Sequence, residues 1–327
     1  MLAEFAVKLP LPPVLVWPAL LIVSLAILVK ASDVFTDAAE TIGRIAGLPH
    51  FVVGATIVAI GTSLPELVSS VLAVLHGTPE IVAGNVVGSN IANLLVILGL
   101  AAVIDGHVRI RHRIALVDLP FLLGSTFLLA LVLWDGSVGR VEAVILLSAL
   151  AVYMHYVLTQ TRSDGDGDGE AGATRTGRGG VVRPVLMLLG SALFILAGAD
   201  GTVTSAIGIG RTLDIGAEII AASAVAFGTS LPEVSVTVAA ARRGNAEMAV
   251  GNVLGSNIFN ALAVTGISAA TGMLVVPASL IGFAVPIMLV ATLLVYFIVM
   301  QQEMTKWEGA LLLLFYVFFI AELFHWI

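Results

Sequence analysis

The sequence contains no cysteine, which excludes disulfides and thiolate metal sites. Charge is also scarce: only 11% of the 327 residues are Asp, Glu, Lys or Arg, against about a quarter in ordinary soluble domains. Apolar residues take the space instead, at 59% of the chain, and mean hydropathy reaches +1.07. The apolar runs lack the alternating pattern of barrel strands, and at roughly 20 residues each they are long enough to cross a hydrocarbon core as helices. A basic N-terminal region and a small-residue cleavage site are missing too, so Val14 to Val29 reads as a first membrane helix rather than a leader.

Charges and Gly/Pro clusters divide the apolar sequence into ten expected spans, at 12–31, 51–75, 80–104, 114–134, 141–159, 184–208, 217–241, 247–271, 278–300 and 307–326. Residues 161–183 are rich in Gly, Asp, Arg and Thr and cannot bury a core, so they form a solvated linker between 1–160 and 184–327. Those halves resemble each other. Residues 61–93 and 228–260 align without a gap at an offset of 167, with 18 identities in 33 positions, and the offset also pairs Asp33 with Asp200. The duplicated cores are 51–104 and 217–271.

Five spans per copy is an odd number, so the second copy enters the membrane upside down. The expected fold is therefore an all-α integral membrane protein of ten transmembrane helices, arranged as two inverted five-helix repeats. Loop parity places 12 of the 15 Lys and Arg residues on one side and only Lys8, Arg140 and Arg211 on the other. By the positive-inside rule the linker is cytoplasmic and both termini are extracellular, in a multi-pass protein of the plasma membrane.

Glu66 and Glu233 stand well inside apolar helices, each as the last residue of GTSLPE. Carboxylates at membrane depth are costly and usually functional. A structural acid neutralised by protonation or by pairing with a base is the blander reading, weakened because no Lys or Arg lies in the neighbouring turns and because both copies repeat the acid with the same flanks. Pro65 and Pro232 precede the glutamates and should break the helices near Gly61-Thr62 and Gly228-Thr229, freeing the carbonyls of Ala59 to Thr62 and Ala226 to Thr229. Thr62, Ser63, Thr229 and Ser230 add hydroxyls.

The second part of each copy reads GNVVGSNIAN (84–93) or GNVLGSNIFN (251–260). Gly84, Gly88, Gly251 and Gly255 recur at four-residue spacing and suit close helix contact. Ser89 and Asn93 share one helix face, as do Ser256 and Asn260, and those faces can point at the glutamates. Asn85, Asn90, Asn252 and Asn257 are read as bridges between kinked helices, with direct ligation the alternative. Together these groups make an oxygen cage with two carboxylates, which suits Ca2+ or several Na+ rather than Zn2+ or Cu+.

The paired motifs resemble the α-repeats of the cation/calcium exchanger superfamily, most closely its prokaryotic sodium/calcium exchangers. The resemblance implies cation ligation by Ala59, Thr62, Ser63, Glu66, Ser89 and Asn93, and by Ala226, Thr229, Ser230, Glu233, Ser256 and Asn260, the alanines acting through their carbonyls. It also implies exchange of three Na+ for one Ca2+. One position departs: many relatives carry Asp where this chain has Asn260, which leaves two formal charges and disfavours K+ co-transport. Calcium/proton exchangers of the superfamily typically carry a GN-x-x-E pattern in place of GTSLPE, and Ca2+/H+ antiport is the alternative function.

One pattern is a decoy and one function of another class is weighed against the exchanger. Asp164 to Gly169 imitates the start of an EF-hand loop, but its twelfth position is Arg175 where a Glu is needed. An intramembrane acid-dyad hydrolase would need two carboxylates in unequal environments, whereas Glu66 and Glu233 have near-identical flanks. The chain is expected not to be an enzyme and to need no cofactor. Its expected partners are Na+, Ca2+ and the lipid bilayer, with no nucleic acid and no obligate protein.

Overall fold

A computed structural model describes residues 13–109, 118–163, 179–212 and 230–326. The linker decoy at 164–175 and the segment 217–229 fall outside these residues. Among the described residues, seven helices are long and apolar enough to cross a membrane, and Asp118–Leu133 is a shorter apolar one. Each of the ten expected spans overlaps a helix, the seventh only through its part after Ser230.

The first helix, α1 (Pro13–Ala46), runs well past the apolar stretch that predicts it. Its extension carries Asp33, Asp37, Glu40 and Arg44 along one stripe, at the three- and four-residue spacing of a helix face. The other half of the chain satisfies that stripe. Arg243 bonds the Asp37 carboxylate and the Asp33 carbonyl, and Asn245 Nδ2 donates to Glu40 Oε1 at 2.7 Å. A polar segment that looks like loop thus continues as helix because tertiary partners hold it.

After α1 come α2 (residues 50–62), α3 (Leu64–Leu75) and α4 (residues 80–105), then β1 (His107–Arg109), α5 (Asp118–Leu133), β2 (Ser137–Val138) and α6 (Arg140–Ser163). The second half contains α7 (Gly179–Thr212), α8 (Leu231–Arg242), α9 (residues 246–271), β3 (Leu274–Val275), α10 (residues 280–299), β4 (Glu303–Thr305) and α11 (Lys306–Trp326). Helices α6 and α7 therefore reach into the expected linker, to Ser163 and from Gly179, because a helix need not stop where its lipid-facing stretch does.

Four short strands supplement the helices and pair across the halves. β1 is antiparallel to β4 and β2 to β3, with Val108 opposite Met304 and Val138 opposite Leu274. Adding 167 to His107 gives Leu274, and subtracting 167 from its partner Thr305 gives Val138. Leu274 and Val138 are partners themselves, so exchanging the halves reproduces the pairing. Helices α1 and α7, which correspond at the same offset, also pack along one another.

Helices α4 and α9 form the centre. Their apolar windows are 72% and 89% buried, against 22–39% for the other five long helices. Close approach of α9 to α2 requires glycine: a Cβ on Gly255 would overlap the Ala55 carbonyl oxygen and lie 2.6 Å from its Cα, and one on Gly251 would overlap the Phe51 carbonyl. At Gly84 and Gly88 no described atom stands within 4 Å of an added Cβ. The residues that the offset sets opposite them, 218 and 222, lie outside the described part of the chain.

Candidate cation site

Both glutamates sit at helix starts. The chain leaves helical geometry at Ser63 (φ −87°, ψ 5°) and re-enters it in α3, with Pro65 and Glu66 in the first turn. In the second half Ser230 (φ −86°, ψ −1°) stands just before α8, whose first turn likewise holds Pro232 and Glu233. Proline fits a first turn because the amide it lacks would have no partner there, and the positive end of the helix dipole favours a carboxylate. The break thus falls one or two residues later than the Gly61-Thr62 position expected from the sequence. One detail of that expectation is corrected: the Ala59 carbonyl is not freed, since it accepts the Ser63 amide at 3.0 Å and the Thr62 hydroxyl at 3.4 Å. Ala226 and Thr229 lie outside the described residues.

Glu66 and Glu233 are each 1% exposed. Among the described residues, both oxygens of Glu66 and Oε2 of Glu233 have no hydrogen-bond partner. Glu233 Oε1 accepts from Ser63 Oγ at 3.0 Å, which ties the first half's break to the second half's acid. Ser230 Oγ reaches Ser89 Oγ at 3.5 Å, again across the halves. The Asn93 and Asn260 amides and the Ser256 hydroxyl are buried and equally unpartnered. Unsatisfied buried polar atoms are few in native proteins and signal a function or a missing ligand. The five residues named here are all among those singled out from the sequence, whereas Tyr153 and Ser268, also buried and unpartnered among the described residues, are not.

Local backbone geometry brings them together. Helix α4 widens into a π turn at Asn93–Ile97, and α9 does so at Asn260–Val264, the same positions at the 167 offset. Such turns admit one extra residue and often mark functional sites. Each packs against the glutamate helix of the opposite half: α3 meets the turn at Asn260, and α8 meets the turn at Asn93. Nothing in the residue types announces these turns.

Of the four asparagines read as bridges, the side chains of Asn85, Asn90 and Asn252 join helices and that of Asn257 does not. Asn85 Nδ2 donates to Ser70 Oγ at 3.1 Å, joining α4 to α3, and Asn252 Nδ2 donates to Thr237 Oγ1 at 2.8 Å, joining α9 to α8. Both asparagines and both acceptors correspond at the 167 offset. Asn252 Oδ1 also accepts from Thr62 Oγ1 at 3.3 Å, so it steadies a residue of the α2 break. Asn90 Nδ2 reaches the Asn257 carbonyl at 3.4 Å where α4 and α9 cross, while the Asn257 amide donates within its own helix to Val253 at 2.7 Å. Sequence reading missed Ser70 and Thr237; their fifteen-residue separation from Asn85 and Asn252 in both copies was the signal that could have found them. Asn252→Ala should lower stability by about 1–3 kcal/mol, the cost of stranding a buried partner. Thermal unfolding of the purified protein in detergent checks this, and Asn85→Ala should cost less because Asn85 is only half-buried.

The site is chemically hard: carboxylates, hydroxyls and amides, with no group of three or more His, Cys, Asp or Glu side chains among the described residues that could hold a metal. Two carboxylates with neutral oxygens fit a cation that takes about six to eight oxygens in flexible geometry.

A helical membrane protein with an oxygen-lined, doubly acidic site at the junction of two repeated halves is the class that fold and site define. The family model for the sodium/calcium exchanger protein matches residues 16–159 and 183–324, and the chain belongs to that family. It is 33% identical to the sodium/calcium exchanger MaX1 of Methanosarcina acetivorans, covering 94% of this chain and 98% of that one. The inner membrane protein YrbG of Escherichia coli is 34% identical, over 77% of this chain and 78% of its own length. Among solved structures, the sodium-calcium exchanger NCX_Mj soaked with 2.5 mM Na+ and 0.1 mM Ca2+ is similar at TM-score 0.81 and 30% identity, covering 94% of this chain and 98% of that one.

Proposed function

We propose that this chain is a secondary antiporter that exchanges Na+ for Ca2+ by alternating access at a site near the membrane midplane. The observation that carries this is the pair of buried glutamates together with the unpartnered amides of Asn93 and Asn260, at equivalent positions of the two halves, and the unpartnered hydroxyl of Ser256. Glu66 and Glu233 supply the charge, and Thr62, Ser63, Ser89, Asn93, Ser230, Ser256 and Asn260 supply neutral oxygens. Thr229 and the carbonyl of Ala226 complete the set.

Two carboxylates balance one Ca2+, or share their charge with several Na+, so occupancy by one ion excludes the other. In this reading ten membrane helices form two inverted repeats in the plasma membrane. The linker is cytoplasmic, the termini are outside, and the broken helices α2/α3 and their mates line the ion cavity from both sides.

The exchange is three Na+ for one Ca2+, and each cycle moves one net charge. In Na+-loaded vesicles, Ca2+ uptake then expels one positive charge per turnover, so an inside-positive potential should accelerate it, with about 2.3 kcal/mol per 100 mV of driving force. A K+ diffusion potential set with valinomycin tests this. Uptake indifferent to the potential would reject the three-to-one stoichiometry in favour of an electroneutral exchange.

A further inference from the structure

Beyond the cage residues, α9 carries two side chains with an unpartnered polar atom, Asn257 at its Oδ1 alone and Ser268 at its only polar atom. Ser268 is fully buried, and its hydroxyl bonds neither the carbonyl four residues back, the usual recourse of a membrane-helix serine, nor any other described group. Eight residues of plain α-helix would set it about 80° away from Asn260, but the π turn between them takes up one residue, leaving the two about 20° apart and about 10 Å distant along the axis. Ser256, Asn260 and Ser268 thus line one face of α9, and all three have unpartnered polar atoms.

The direction of that face follows from its neighbours. Gly266 packs on α6, where an added Cβ would lie 3.0 Å from Leu147 Cγ, and Ser268 is rotated about 200° from Gly266. The same stretch of α9, residues 265–271, also packs on α3, and just past its end Gly272 lies beside Val74 of α3. Ser268 therefore faces the helix that begins with Glu66. The first half has no counterpart: at the 167 offset, Ser268 corresponds to Ala101 and Thr265 to Leu98.

We propose that Ser268 is a cation-binding station between the central cage and the membrane face carrying the 76–79 and 272–279 loops, outer in the proposed topology. It gives a partly dehydrated Na+ or Ca2+ an oxygen about two helical turns from Asn260. The opposite access path, ending near Ala101, lacks such a hydroxyl, so the two sides of the exchanger differ in ion entry although their cages match. This inference rests on the reading of the chain as a cation exchanger.

The absence of native cysteine makes the test clean. The full-length Ser268→Cys variant, reconstituted in vesicles of known orientation, is treated with a small, membrane-impermeant cationic methanethiosulfonate. The expected result is modification only from the side bearing the 76–79 and 272–279 loops, prevented by saturating Ca2+. A thiol inert from both sides, modified from the linker side, or modified equally with and without Ca2+ would overturn the proposal. Ser268→Ala adds a functional readout: Ca2+ uptake should slow by about fivefold, the order of one lost hydrogen-bond-like contact, whereas unchanged uptake would mean the hydroxyl only fills space. Wild-type uptake with and without a Na+ gradient separates the two readings, because a Ca2+-protected thiol without Na+-driven uptake would sink the Na+/Ca2+ exchange while leaving the cation station standing.

Discussion

Glu66→Gln should reduce Na+-driven Ca2+ uptake at least about a hundredfold, because it removes half the formal charge of a desolvated site. The size follows from burial: a charge-assisted contact in such surroundings is worth well over the ~1 kcal/mol of an ordinary hydrogen bond, and each 1.4 kcal/mol is a factor of ten. Folding should survive. Both Glu66 oxygens are unpartnered within the described residues, so the amide disturbs no existing contact and relieves a buried charge. A ligand that binds only the folded protein raises its stability in proportion to its occupancy. Ca2+ should therefore raise the melting temperature of wild type but not of the variant. A variant that transports normally would remove Glu66 from the site.

Gly255→Val should prevent the protein from assembling. Its Cβ would collide with the backbone of Ala55, where no side chain can swing aside. Such overpacking costs about 1–3 kcal/mol when side chains can adjust, and more when only backbone can move. Loss of the monodisperse peak in detergent size-exclusion chromatography is the expected readout. Gly282→Ala is the control: no described atom stands within 4 Å of the added methyl, so that variant should elute as wild type. A well-folded Gly255→Val protein would mean that α2 and α9 are not packed this closely.

The sequence made some of this architecture legible and hid the rest for physical reasons. Two glutamates in apolar runs, each within a repeated motif, mark the candidate site, since a carboxylate at membrane depth is costly and usually functional. Helical spacing put Ser89 with Asn93, and Ser256 with Asn260, on one helix face, and Asn93, Ser256 and Asn260 are buried and unpartnered in the structure. The π turns at Asn93 and Asn260 were hidden, because their widening depends on packing between halves rather than on residue type. The length of α1 was hidden too. Asp33, Asp37 and Glu40 look like loop residues until Arg243 and Asn245, more than 200 positions away, are seen to satisfy them. The strands were too short, at two or three residues, to leave a pattern. Proline was over-read at Ala59: it marks the break, but the amide of Ser63 still reaches back to close the last turn of α2.

Asn260 is where the choice of counter-ion is most exposed, since it leaves Glu66 and Glu233 as the two carboxylates of the proposed cage. The most direct test is 45Ca2+ uptake into vesicles containing the purified protein, loaded with Na+ and diluted into Na+-free buffer. Vesicles loaded with K+ at the same concentration, and others carrying only a pH gradient, run alongside. The expected result is uptake that requires the outward Na+ gradient and is absent with K+. Uptake driven by the pH gradient instead would contradict the account and make the protein a Ca2+/H+ antiporter.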